Sequence, residues 1–162
     1  MVDAQVRPVV NIFDSYVVKT YPRSMADRYV RELAAHTALP EFSVRLLDFD
    51  DDELTLVTER HIPLLYLDRA DSVQYRQPLW ELLQGVHNAG WWHRDTCLVN
   101  VVVDHGRPLL IDWENVSPAR GDVSYDLYGA QRAGVRSAWN HPHSVYWFND
   151  CPRCPERYWR TL

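Results

Sequence analysis

His93-Arg94-Asp95-Thr96-Cys97-Leu98-Val99-Asn100 is the stretch that decides the fold, together with Ile111-Asp112-Trp113-Glu114 just beyond it. A carboxylate, Asp95, and a carboxamide, Asn100, share one short segment. Two apolar runs follow, Leu98–Val103 and Pro108–Ile111, separated by Asp104-His105-Gly106-Arg107. Apolar runs around a polar, glycine-containing turn predict a hairpin. A hairpin reverses the chain, so Asp112 returns beside Asp95 and Asn100.

Those residue types suit one chemistry. Phosphoryl transfer needs a carboxylate near the acceptor hydroxyl and oxygen ligands for a divalent ion on the phosphates. Mg²⁺ takes hard oxygens, usually one or two carboxylates with phosphates and water.

Upstream of this stretch, residues 78–89 (PLWELLQGVHNA) predict a helix with Pro78 in its first turn and Gly90 past its end. Residues 43–49 and 53–58 read as a hairpin around Asp50-Asp51-Asp52, a solvated acidic turn. Residues 25–38 carry Met25, Tyr29, Leu33 and Ala34 at helical spacing, and Ser24 with Asp27 predicts a capping box. Residues 7–20 are β-branched and aromatic and predict two strands around Asp14-Ser15. Downstream, residues 124–138 predict a helix; the segment from Trp139 is rich in Trp, Tyr, Pro and Cys. The order is strands, helix, strands, helix, hairpin, helix, an α+β pattern with a sheet-rich first half and a helical second half.

The chain of 162 residues suffices for one domain or two small lobes around a cleft, and 46% hydrophobic residues suffice for a core. A net charge of −5 argues against general nucleic-acid binding. No apolar run is long enough to span a bilayer, and MVDAQVRPVV lacks the layout of a signal peptide. Three cysteines leave one unpaired in any monomeric disulfide scheme, so a reduced, cytoplasmic protein is expected. Sixteen of the 17 basic residues are Arg; the exception is Lys19.

His-Arg-Asp-x4-Asn matches the protein-kinase catalytic loop without a mismatch. Ile111-Asp112-Trp113-Glu114 resembles the Ile-Asp-Trp/Phe-Glu of the aminoglycoside- and choline-phosphotransferase branch. Gly121-Asp122-Val123-Ser124-Tyr125-Asp126-Leu127 is similar to that branch's Gly-Asp-Pro-x-Tyr-Asp-Leu. Val17-Val18-Lys19 resembles the Val-Ala-Ile-Lys strand, and Glu32, thirteen residues on, resembles the helix glutamate that pairs with that lysine. The resemblance covers roughly residues 15–130.

It implies a minimal two-lobed kinase-like domain over 1–162, with a sheet-rich lobe at 1–60 and a truncated helical lobe at 61–162. It implies Asp95 as base or hydroxyl-orienting group, Asn100 and Asp112 as Mg²⁺ ligands, and Lys19, fixed by Glu32, on the ATP phosphates. Thr58-Glu59-Arg60-His61 falls where the family offers backbone groups to adenine, so Glu59, Arg60 and His61 are candidate nucleotide contacts. Asp126 matches the residue that braces the catalytic loop. His93 reads as a packed structural residue rather than a base. The expected reaction is ATP- and Mg²⁺-dependent phosphorylation of a hydroxyl, with protein Ser/Thr slightly favoured over a small molecule.

The chain departs from the family in one clear respect. No glycine precedes Gly85, so the glycine-rich loop that covers the phosphates is missing, and Asp14-Ser15 stands roughly in its place. This keeps a pseudokinase, a binding module without turnover, as the alternative. Taken singly, Lys19 is an ordinary surface lysine, Glu32 a solvated helix acid and Asp95 a turn carboxylate; their order and spacing together carry the argument. In the tail, His141, His143, Cys151 and Cys154 offer a candidate Zn²⁺ set. The Trp- and Tyr-rich C-terminus offers a candidate partner or dimer contact.

Overall fold

The computed structural model describes residues 6–67, 74–96 and 98–118. The expected helix at 124–138, Asp126 and the Cys/His tail lie outside the described residues.

Two strands precede the first helix and runs of short strands follow each helix, and four strands form the first sheet. Strand β1 (Val9–Ile12) and β2 (Tyr16–Thr20) make the expected hairpin, while β3 (Leu46–Asp50) and β4 (Thr55–Glu59) make the second. The order is β1-β2-β4-β3, all antiparallel, and Lys19 stands opposite Leu56 in the central pair. The first hairpin closes through the Phe13 amide on the Tyr16 carbonyl at 2.9 Å, with the two rings stacked 4.5 Å apart. None of residues 13–15 has a positive φ, so this turn has no need of glycine.

Helix α1 (Ala26–Ala38) lies against this sheet, and Tyr29 packs with Tyr21, Met25, Leu54 and Leu56. The capping box does not form. Ser24 sits inside a one-turn 3-10 helix, Arg23–Met25, begun by the Met25 amide on the Pro22 carbonyl at 2.8 Å. Coiling has already started at Pro22, so Met25 takes the N-cap position, with no side-chain cap. The acidic turn is more than solvated: the Asp50 carboxylate accepts the amides of Asp52 and Glu53, and Asp51 accepts the Tyr29 hydroxyl at 2.7 Å.

A second, larger core gathers around α2 (Arg76–Asn88), whose Leu79, Leu82, Leu83 and Val86 follow helical spacing. They pack with Ala35 and Leu39 at the end of α1, and with Leu64, Val101, Leu110, Trp113 and Val116. Each fully buried Leu or Val contributes roughly 1.5–3 kcal/mol. Helix α1 thus contributes side chains to both cores. Gly90, with φ +86, ends α2 in the left-handed conformation that favours glycine.

Five short strands complete the described part. They are β5 (Ile62–Pro63), β6 (Trp91–Trp92), β7 (Val101–Asp104), β8 (Arg107–Leu110) and β9 (Ser117–Pro118). β5, β7 and β8 form one sheet, and β6 pairs with β9. The β7–β8 turn has His105 at φ 46 and Gly106 at φ 82, a two-residue turn whose twist matches the strands.

Two strand boundaries differ from expectation. Leu98–Asn100 is a 3-10 turn, not the start of β7, because Asn100 Nδ2 donates to the Asp95 carbonyl at 2.9 Å and holds the segment curled. Ser43–Arg45 does not belong to β3. It runs beside β8, where the Leu110 amide donates to the Phe42 carbonyl at 2.9 Å and the Val44 amide to the Leu110 carbonyl at 3.4 Å. This seam ties the α1–β3 connection to the hairpin that carries Asp112. Among the described residues, no helix is long and apolar enough to cross a membrane.

Candidate active site

Asp95 and Asn100 lie on the loop that opens the β7–β8 hairpin; both are buried. The Asn100 amide nitrogen is committed to the Asp95 carbonyl, so its oxygen is the atom that can meet a cation. The Asn100 carbonyl accepts the Ile111 amide at 3.0 Å, which brings the residue before Asp112 against the loop.

His93 makes the second connection. Its Nε2 donates to the Ile111 carbonyl at 2.9 Å, and its Nδ1 accepts the Asp95 amide at 3.2 Å. Those partners set the neutral Nε2–H tautomer and engage both ring nitrogens. Fully buried and 4.5 Å from the Trp113 ring, His93 is a structural link between the Asp95 loop and the Asp112 turn. The hairpin therefore brings Ile111, the residue before Asp112, against the loop that carries Asp95 and Asn100.

Asp112 adopts φ 65, ψ 58, a left-handed conformation that costs a non-glycine residue about 1–2 kcal/mol. The strained backbone turns its carboxylate toward β2. Lys19 Nζ donates to Asp112 Oδ1 at 2.5 Å and to Glu32 Oε2 at 2.7 Å, across 93 and 13 residues of sequence. Glu114 stands 3.7 Å from the same ammonium and 2.9 Å from Arg28 on α1. The Tyr21 hydroxyl also donates to Glu32, and the Tyr21 ring lies under the ammonium at 4.9 Å. His36 Nδ1 donates to the Val44 carbonyl at 3.2 Å, while its Nε2 faces the Glu32 carboxylate at 3.9 Å.

The electrostatics follow from this crowding. Burial opposes the charge on Lys19, but the carboxylates of Glu32 and Asp112 outweigh it and hold the lysine protonated above its ordinary range. Burial likewise opposes the charge on Glu32, yet His36, Lys19 and Tyr21 draw its carboxyl down to about 2. Burial and the Glu32 charge push the Tyr21 hydroxyl well up, fixing it as a donor. Burial, then the neighbouring Asp112 charge, raises the Glu114 carboxyl against the pull of Lys19 and Arg28.

The expected nucleotide-contact segment lies at the end of β4. Two of its amides are already engaged: Glu59 donates to the Arg45 carbonyl at 2.9 Å and Arg60 to the Ser15 carbonyl at 3.1 Å. The Arg60 guanidinium also holds the Phe13 carbonyl at 3.0 Å, so the turn in place of a glycine-rich loop is tied down. His61 sits between Glu59 at 3.5 Å and Asp104 at 3.6 Å.

Among the described residues, no three His, Cys, Asp or Glu side chains surround one point as a metal cage. A phosphate-bound Mg²⁺ needs no such cage, since one or two protein oxygens complete its shell. The residues fit it: the Asp112 carboxylate already holds a stand-in cation in the Lys19 ammonium, and the Asn100 oxygen lies on the adjoining loop.

The Lys19–Glu32–Asp112 network beside the loop of Asp95 and Asn100 is the arrangement expected of a phosphotransferase of the protein kinase-like class. A family model confirms it: residues 21–160 match the phosphotransferase enzyme family, and the chain belongs to that family, of the aminoglycoside/choline phosphotransferase type. The match reaches further toward the C-terminus than the recognised motifs and begins two residues after Lys19. No curated protein matches the chain.

Four residues of the cluster escaped the sequence reading: Tyr21, Arg28, His36 and Glu114. Glu114 was visible within the Asp-Trp-Glu motif, but nothing local marked Arg28, 86 residues away, as its partner.

Proposed function

We propose that the chain is an ATP- and Mg²⁺-dependent phosphotransferase acting on a hydroxyl, in a cleft between a sheet-rich lobe at 1–60 and a lobe formed by 61–162. The observation that carries this reading is the joint hold of Glu32 and Asp112 on Lys19. It aligns the cation meant for the phosphates with the carboxylate meant for the metal.

Asn100 and Asp112 are the residues that hold Mg²⁺, which when bound neutralises charge on the β- and γ-phosphates. Lys19, anchored by Glu32, meets the phosphates as a compact charge. Asp95 accepts or orients the proton of the acceptor hydroxyl. Glu59, Arg60 and His61 border the adenine side, with the remaining backbone groups of that segment making the contacts. Kinship with the aminoglycoside and choline branch favours a small-molecule acceptor over the protein Ser/Thr that the sequence alone favours.

A second reading is a binding module without turnover. The tied-down turn at Phe13–Ser15 favours it, because a turn held by Arg60 cannot fold over phosphates. Incubation with γ-labelled ATP, Mg²⁺ and a panel of amino-alcohols, aminoglycosides and protein substrates decides between them. Label transfer that disappears in Asp95→Asn supports the enzyme. Nucleotide binding without transfer to any acceptor or to water supports the module.

A further inference from the structure

Helix α1 presents Arg28 and Glu32 one turn apart, and both reach the cluster around Lys19. The charges alternate in sequence of contact. Arg28 holds Glu114 at 2.9 Å; Glu114 stands 3.7 Å from Lys19; Lys19 holds Glu32 at 2.7 Å and Asp112 at 2.5 Å. Glu114 is thus a third carboxylate within reach of the chain's one lysine, and it is the one not in contact.

We propose that Arg28 is a positioning residue: by holding Glu114, it keeps that carboxylate from taking Lys19 away from Asp112 and Glu32, and so sets the lysine where the phosphates need it. This inference deepens the functional reading above and rests on it for its consequence for nucleotide. The physical basis is competition. The side chain of Glu114 is only 14% exposed and lies beside Asp112, so it needs a counter-charge. Two cations are within reach. Arg28 offers a planar, multidentate donor and satisfies it from the solvent side, with 41% of its own side chain exposed. Without Arg28, the only cation left for Glu114 among its described contacts is Lys19, and 3.7 Å closes to contact by a small rotation. A lysine shared with Glu114 is drawn along the Asp112–Asn115 turn and away from Glu32.

The test separates this from a merely structural role. Lys19 is the sole lysine in the chain, so [¹⁵N]lysine labelling gives one side-chain ammonium signal, readable without nucleotide. Arg28→Met is expected to shift that signal, and Arg28→Met/Glu114→Gln to return it close to the native position, because the competitor has lost its charge. Arg28→Lys, which keeps the charge, is expected to shift it least. In parallel, Arg28→Met is expected to weaken Mg²⁺–ATP binding about tenfold, as read by calorimetry, and the double variant to recover most of it. An unmoved ammonium signal in Arg28→Met overturns the proposal, as does a double variant no better than Arg28→Met. Native protein that binds no Mg²⁺–ATP while the ammonium signal behaves as stated leaves the positioning role of Arg28 standing and overturns the nucleotide reading instead.

Discussion

Lys19 Nζ lies 2.5 Å from Asp112 Oδ1, an ion pair that joins strand β2 to the turn after the β7–β8 hairpin across 93 residues of sequence. The same ammonium holds Glu32, and Glu114 waits at 3.7 Å. Lys19 with Arg28 therefore offsets a group of buried or half-buried acids that would otherwise repel one another. If Asp112 and Lys19 serve nucleotide and metal as proposed, the ion pair between them would have to open when those groups bind.

Removing that cation is costly. In Lys19→Met, Glu32 and Asp112 lose their shared partner, and breaking a buried pair from one side costs about 3–5 kcal/mol. For a chain of this size the melting temperature is expected to fall by about 10 °C. Differential scanning calorimetry of the variant measures it. A melting temperature within 2 °C of the native protein, on the scale of an exposed pair, contradicts the buried network.

The pH dependence has a defined sign. Glu32 is held at about 2 against an ordinary value of 4.5, so its contribution is fully present above pH 4.5 and lost as pH falls toward 2. The depression corresponds to about 3 kcal/mol. Glu114 is raised, so it acts oppositely just above its ordinary range, where stability declines as pH rises. Urea midpoints between pH 2 and 6 are expected to fall steeply below pH 4.5, and Glu32→Gln to flatten that fall.

Asp95 and Asp112 are expected to separate chemistry from binding. Asp95→Asn should lower turnover by about 10²–10⁴-fold, the range of a proton-handling group, with nucleotide binding retained. Equal loss of binding and turnover would instead make Asp95 part of the nucleotide site.

Gly85 offers a test of packing. A Cβ there would lie 2.5 Å from the Phe42 ring. Alanine gains about 1 kcal/mol of helix propensity, but overpacking costs about 1–3 kcal/mol, and the Phe42 ring must shift to admit the methyl. Gly85→Ala is expected to lower stability in thermal unfolding, whereas a rise would show that Phe42 relaxes freely.

The backbone plan and the motif residues were legible in the sequence, because hairpins and amphipathic helices write themselves in short-range patterns. Lys19, Glu32, Asp95, Asn100 and Asp112 were marked out by resemblance to the family's motifs. Their electrostatic supports were not. Tyr21 and Arg28 look like ordinary surface-compatible residues until the fold carries them to Glu32 and Glu114, and no local pattern encodes contacts across 11 and 86 residues. Boundaries failed where a polar side chain overrode propensity: Asn100 bonding Asp95 turned an apolar, strand-like run into a 3-10 turn. The amides of Glu59 and Arg60 were likewise unreadable as engaged, since their acceptors, Arg45 and Ser15, come from the α1–β3 connection and the β1–β2 turn.

Thermal unfolding with rising Mg²⁺–ATP tests the central claim most directly. A ligand that binds only the folded state at a hundred times its Kd stabilises by about 2.7 kcal/mol, a rise of several degrees. The native chain is expected to show that rise with Mg²⁺–ATP, and Asp112→Ala to lose it. A native protein unmoved by millimolar Mg²⁺–ATP, or an Asp112→Ala variant stabilised as much as the native chain, would contradict the account.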